Sequence, residues 1–211
     1  MVHEFPPAQE QVVNLEEPVP EVNYEEPVVN LEDSIMDYEV CSSLEIDNSV
    51  PLPEKSTYEL ALAIERIVEI EGPIRFEEVI KRIREYWGLK QAGKRIKDAI
   101  NSAALEAEEN NQIIIKDDFL YATNESPVKV RRRTKANIDL ISPEEIEEAI
   151  KLVIQAQFAT PPDDLITQTA HLFGFKSTGK KTAKRIQEVL NSLIKNGALV
   201  EMPNGMINFP K

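Results

Sequence analysis

The feature that most constrains this chain is a stretch that occurs twice. Trp87-Gly88-Leu89-Lys90-Gln91-Ala92-Gly93-Lys94-Arg95 is followed, 86 positions later, by Phe173-Gly174-Phe175-Lys176-Ser177-Thr178-Gly179-Lys180-Lys181. Each copy runs aromatic, glycine, apolar, lysine, two small or polar residues, then glycine, lysine and a second cation. Each lies between two stretches with apolar residues at helical spacing. A glycine-bearing turn between two helices, with cations opening the second helix, is the layout of a helix-turn-helix unit.

The flanks extend the repeat. Leu60, Ala63, Ile64, Ile67 and Val68 follow the spacing of a helix with one buried face. Ser56 or Thr57 caps it, with Glu59 in its first turn, and Gly72-Pro73 ends it. Ile74-Arg75-Phe76 is short and extended. A second helix buries Phe76, Val79, Ile80 and Ile83 and stops at Gly88. A third runs from about Ala92 to Glu109, and Ile113-Ile114-Ile115, Asp117-Asp118 and Phe119-Leu120-Tyr121 read as a tight hairpin. At the same offset, Glu59/Glu145, Ala63/Ala149, Ile64/Ile150, Ile80/Ile166, Ile100/Ile186 and Asn110/Asn196 are identical pairs. The second hairpin, around Pro203-Asn204-Gly205, has a slightly longer tip. Helix, strand, helix, helix, strand, wing, strand is the winged-helix order. The predicted fold is therefore α+β, mainly α: tandem winged-helix domains over 56–123 and 142–211, joined by a basic linker over 124–141.

Charge divides the chain. Residues 1–55 hold fourteen of the 37 acids and one base, Lys55, whereas residues 56–211 carry equal numbers of acids and bases. High charge, low apolar content and prolines at 18, 20 and 27 predict a disordered acidic tail over 1–55. Its acidic-apolar repeats are expected to dock on a partner or to cover basic surfaces of this same chain, with Met36 to Ile46 forming a short helix on contact. The net charge of −13 is thus a property of the tail and does not exclude a DNA-binding body. Cys41 is the single cysteine, read as a free thiol on that mobile tail, which excludes an intrachain disulfide. There is neither a signal-peptide pattern at Met1 nor a run of membrane-span length, so a soluble cytoplasmic protein is expected.

The motifs narrow the function. Gly88-x-x-x-x-Gly93-Lys94 nearly spells a phosphate-binding loop, but Arg95 and Lys181 stand where Ser or Thr must hold Mg²⁺, and a helix, not a strand, precedes each copy. Residues 88–100 carry Lys90, Lys94, Arg95 and Lys97 against Asp98; residues 174–186 carry Lys176, Lys180, Lys181, Lys184 and Arg185 against no acid. Cations and backbone N–H groups at a helix N-terminus suit phosphate oxygens, and Gly93 and Gly179 let that backbone approach closely. Mostly lysine, with little Asn or Gln, favours backbone contacts over base reading. The linker cations Lys129, Arg131, Arg132, Arg133 and Lys135 either follow a phosphate backbone as further contacts or make a soluble tether. Trp87 and Phe173 are read as core. His171 stands alone, so no metal site is expected. The pairs Glu77-Glu78, Glu144-Glu145 and Glu147-Glu148 are placed on solvent faces or helix starts, and no catalytic carboxylate pair is expected.

Tyr58-Glu59-Leu60-Ala61-Leu62-Ala63-Ile64-Glu65-Arg66-Ile67-Val68, with Glu71-Gly72-Pro73-Ile74, Trp87-Gly88-Leu89-Lys90 and Gly93-Lys94-Arg95-Ile96, resembles a bacterial module, the domain of unknown function 3320. The second copy, through Phe173-Gly174-Phe175-Lys176-Ser177-Thr178-Gly179, resembles that family's downstream half, so the likeness spans roughly 56–211. In that family the module closes large proteins carrying a superfamily 1 helicase and often a nuclease domain. The resemblance implies an accessory role beside a helicase or nuclease subunit and supplies no catalytic residues. The expected function is non-catalytic DNA binding through phosphates, without cofactor, metal, membrane or small-molecule substrate. The alternative is a protein-interaction module docking on a helicase or nuclease subunit.

Overall fold

The structure, a computed structural model, describes residue 31 and residues 34–123 and 128–210. The acidic-apolar segment before them, residues 1–30, lies outside the described residues. The architecture is mixed α/β and mainly helical, with six helices and three small sheets.

Strand β1 (Ile35–Asp37) comes first, followed by extended chain and a 3-10 turn at Leu52–Glu54. Helix α1 (Thr57–Glu71) begins at a capping box: the Ser56 hydroxyl accepts from the Glu59 amide, and the Glu59 carboxylate accepts from the Ser56 amide. Strand β2 (Ile74–Arg75), α2 (Phe76–Tyr86) and α3 (Lys94–Glu109) follow, then β3 (Ile113–Lys116) and β4 (Phe119–Ala122). The sheet order is β2-β4-β3, antiparallel throughout. Asp117 takes a positive φ of 52° to close the two-residue hairpin turn.

After β5 (Val130–Arg132) and a 3-10 turn at Ile138–Leu140, the helices return. They are α4 (Pro143–Gln157), α5 (Pro162–Leu172) and α6 (Lys180–Lys195), each starting 86 residues after its counterpart and equal to it in length. The hairpin is reduced to β6 (Val200–Glu201) and β7 (Ile207–Asn208), with a single bridge from Thr160 to Ile207 where the first half has β2. Each half has its own buried core. Leu60, Ile64, Ile67, Ile83 and Ile100 centre the first; Ile146, Ile150, Phe173, Ile186 and Leu190 centre the second.

Two expected boundaries move. The tail expected over 1–55 is packed from Ile35 onward, and Met36 to Ile46 is strand and extended chain rather than helix. Cys41, Leu44 and Leu52 are buried in the first core, while Asp37, Glu39, Glu45, Asp47 and Glu54 are all exposed. Averaged over the segment, these acids hide a few well-spaced apolar anchors. The Tyr86 hydroxyl and Trp87 Nε1 hold the segment further, donating to the carbonyls of Ile46 (2.8 Å) and Val50 (2.9 Å). Cys41 is thus a core thiol, not one on a mobile tail, and burial pushes its pKa up. Of the linker expected over 124–141, residues 128–141 also belong to the fold, and 124–127 lie outside the described residues. Its β5 pairs in parallel with β1, and Val130, Ile138 and Ile141 enter the second core.

Candidate nucleic-acid interface

Both glycine turns have the same backbone. In the first, the Gly88 amide donates to Glu85 O and the Leu89 amide to Arg84 O; in the second, Gly174 donates to His171 O and Phe175 to Ala170 O. This paired return is a Schellman ending, with the glycine at positive φ, 64° and 93° respectively. The next helix then opens at Gly93 or Gly179, each in extended conformation with no side-chain cap. A Cβ on either would meet nothing within 4 Å, so both openings face free space. The first amides of such a helix lack intrahelical acceptors and carry the positive end of the helix dipole.

The cations around the turns differ between copies. Lys90, Lys94, Arg95 and Lys97 are exposed, and among the described residues none is in an ion pair. In the second copy Lys176 and Lys180 are exposed and likewise unpaired among the described residues. Lys181, however, is paired with Asp139 of the 3-10 turn, and Lys184 and Arg185 both approach Glu188, at 4.0 and 3.9 Å. Position 188 corresponds to Ser102 in the first copy. Arg185 also lines a small cleft with Asp117, Asp118 and Glu144, so the acidic tip of the first hairpin lies near α6. The second half engages that hairpin through Glu144, which binds both Lys116 and the Tyr121 hydroxyl (2.5 Å), while Arg75 of the first half pairs with Asp118 at 3.0 Å.

The linker cations separate into two groups. Lys129, Arg132 and Lys135 are exposed. Arg131 and Arg133 are 6% and 8% exposed and held by a buried carboxylate, so these two are neither phosphate contacts nor part of a soluble tether. Both grip Glu145, itself fully buried: Arg131 Nη2 donates to Oε2 at 2.7 Å, and Arg133 Nη1 and Nη2 donate to the two oxygens at 2.9 Å. Arg131 also donates to the carbonyls of Glu71 (2.6 Å), Gly72 (3.0 Å) and Pro73 (3.0 Å). Glu71, fully buried, accepts from Arg82 Nε (2.8 Å), the Tyr38 hydroxyl (2.7 Å) and the Cys41 amide (3.0 Å). Both linker guanidiniums lie over the Tyr38 ring, 5.0 and 4.6 Å from its centroid. One ionic network therefore ties β1, β5, α1, α2 and α4 together.

Burial alone pushes the Glu145 carboxyl up. The hydrogen bonds from Arg133 and the charge and hydrogen bonds of Arg131 outweigh it and hold the pKa below the ordinary carboxylate value. Tyr38 is pushed up, first by burial and then by the adjacent Glu71 carboxylate. Glu145 does stand in the first turn of α4, the helix start expected for it, but it is fully buried there rather than on a solvent face. The signal for the network was present in Arg131 and Arg133. Two residues apart on a strand they share one face, and Arg132 takes the other.

Trp87 is half-buried and Phe173 fully buried, so both turn aromatics contribute to packing. His171 is exposed. No helix among the described residues is long and apolar enough to cross a membrane.

The stretch from buried Leu52 through α1 and α2 to the first turn and the opening of α3 decides the family comparison. Residues 52–98 match the family model Protein of unknown function (DUF3320). The DUF3320 match thus contains the first basic turn complete, from Gly88 to Lys97. The second copy and β5 lie beyond the matched residues. No curated protein and no solved structure matches the chain.

Proposed function

We propose that the two helical halves are tandem winged-helix domains forming a cytoplasmic, non-catalytic DNA-binding accessory module. It holds DNA through phosphates, beside a helicase or nuclease subunit in the same or another chain. The observation that carries this reading is the duplicated turn. Twice, the chain closes one helix with a Schellman glycine and opens the next with uncapped backbone amides and exposed cations. In the first copy these are Lys90, Lys94, Arg95 and Lys97; in the second, Lys176, Lys180, Lys181, Lys184 and Arg185 contribute to differing degrees. Binding of this kind has weak sequence preference and falls steeply with salt. The helicase or nuclease association rests on the family resemblance alone.

Exposed apolar side chains favour a second reading, a protein-docking module. Tyr58 and Leu62, 58% and 41% exposed, lie one helical turn apart on α1. Combined charge reversal of Lys94, Arg95, Lys180 and Lys181 to Glu separates the two. Loss of DNA binding with the fold intact supports the first reading. Unchanged DNA binding would remove it.

A further inference from the structure

The junction between the halves contains a cleft of about 590 Å³ whose lining is strongly cationic. Arg75, Lys81, Arg82, Arg132, Arg133 and Lys135 face it, against Asp37 and Glu78. Four of these cations are already held. Arg82 and Arg133 bind the buried Glu71 and Glu145, Lys81 pairs with Glu78 at 3.1 Å, and Arg75 pairs with Asp118 at 3.0 Å. Arg132 and Lys135 are exposed and in no ion pair among the described residues. The network that buries Arg131 and Arg133 fixes β5, and Arg132, exposed between them, lines the cleft.

The cleft touches the second turn and, along α2, leads toward the first. Its wall includes Gly174, the glycine of the second turn, two residues before exposed Lys176. The opposite wall is α2, from Glu78 to Arg82, and α2 ends at the first turn. From Lys81 to Gly88 is ~10 Å at ~1.5 Å per residue. A strand stacked as in a duplex, at ~3.4 Å per phosphate, covers that distance in about three nucleotides, and a more extended strand in fewer. The volume is that of a drug-sized ligand, so it suits one or two nucleotides and not a duplex. Ile74 and Leu140 add apolar surface for sugar and base faces, without donors positioned to read a base.

We propose that this cleft holds a short single-stranded phosphodiester segment, with Arg132 and Lys135 as its phosphate contacts. The inference rests on the DNA-binding reading and adds a strand path between the turns. It is tested on the full chain by anisotropy with labelled oligo-dT of about 20 nucleotides and a blunt duplex of equal length, at several salt concentrations. Arg132→Glu with Lys135→Glu should weaken oligo-dT binding by ~10-fold or more and lower the log–log salt slope by about 1.4, ~0.7 per single-strand phosphate. Duplex affinity should stay unchanged. The milder Arg132→Gln with Lys135→Gln should give the same selectivity with a smaller loss, which guards against an effect of misfolding. Unchanged oligo-dT binding, or an equal loss on both ligands, overturns the cleft. If Lys94→Glu with Arg95→Glu still weakens binding in that case, the DNA-binding reading stands. Wild-type protein that binds neither ligand at low salt overturns both.

Discussion

The two halves are the same local structure in different surroundings. Helix lengths, Schellman turns and uncapped glycine openings coincide across the 86-residue offset. What differs is what packs from outside. In the first half Glu59 closes a capping box at the surface; in the second, its counterpart Glu145 is fully buried beneath Arg131 and Arg133. Gly88 has open space around it, whereas a Cβ at Gly174 would lie 2.4 Å from the Arg133 carbonyl oxygen. The first turn has unpaired cations, while the second is partly neutralised by Asp139 and Glu188. Repeated sequence specifies the helices and turns. The chain between and before the repeats decides what each equivalent residue does.

Equal substitutions at equivalent positions should therefore have unequal effects. The largest concerns the glutamate pair. Glu145→Ala leaves two buried guanidiniums without their carboxylate and should cost ~3–5 kcal/mol in urea denaturation. Glu59→Ala removes only one side of a surface capping box and should shift the urea midpoint far less. Glu145 also has a pH signature. The Glu145 pKa is lowered in the folded chain, so its contribution is present above the ordinary carboxylate value of ~4.3 and is lost as pH falls through the lowered value. Glu145→Gln should flatten that part of the acid dependence of the urea midpoint, and an unchanged acid dependence would separate Glu145 from the network.

Next in size are the turn glycines. Gly88→Ala should cost ~1–2 kcal/mol, the penalty of a left-handed residue with a side chain. Gly174→Ala should cost more, because backbone rather than a side chain blocks the added carbon. Equal melting-temperature losses would show that β5 yields at this contact.

For the cation clusters, Lys94→Glu with Arg95→Glu should lower duplex affinity ~10-fold or more at low salt and reduce the salt slope by ~1.8, ~0.9 per phosphate. Lys180→Glu with Lys181→Glu should do less, because Lys181 already has an acidic partner. The reverse order in anisotropy titrations would make the second turn the principal one. The smallest effect is at Cys41. As a buried thiol with a raised pKa it should react with a thiol reagent more slowly in the folded chain than in urea. Equal rates would contradict the packing of residues 35–55.

Much of this was legible in the sequence. The apolar spacing of Leu60 to Val68 and its copy located the helices, and the two glycines located the turns, because both signals are local. The hairpins followed from β-branched runs around short turns. Residues 35–55 were misread because five exposed acids outweigh Cys41, Leu44 and Leu52 in any local average. Burial of Glu71 and Glu145 was hidden for a different reason. A carboxylate is buried only when its partners are, and Arg131 lies 60 residues from the Glu71 carbonyl it binds. Pairing of Lys181 with Asp139 spans 42 residues and leaves no periodic trace. The i, i+2 spacing of Arg131 and Arg133 carries the one local sign that they differ from Arg132, but reading it requires knowing that the segment is a strand.

The most direct measurement is an anisotropy titration of the full chain against labelled duplex DNA at two salt concentrations. The full chain is needed because residues 35–55 complete the first core. Submicromolar to micromolar binding at low salt that falls steeply at the higher concentration is the predicted result, with little difference between unrelated sequences. No binding at low salt, or binding indifferent to salt, would contradict phosphate recognition by the paired turns.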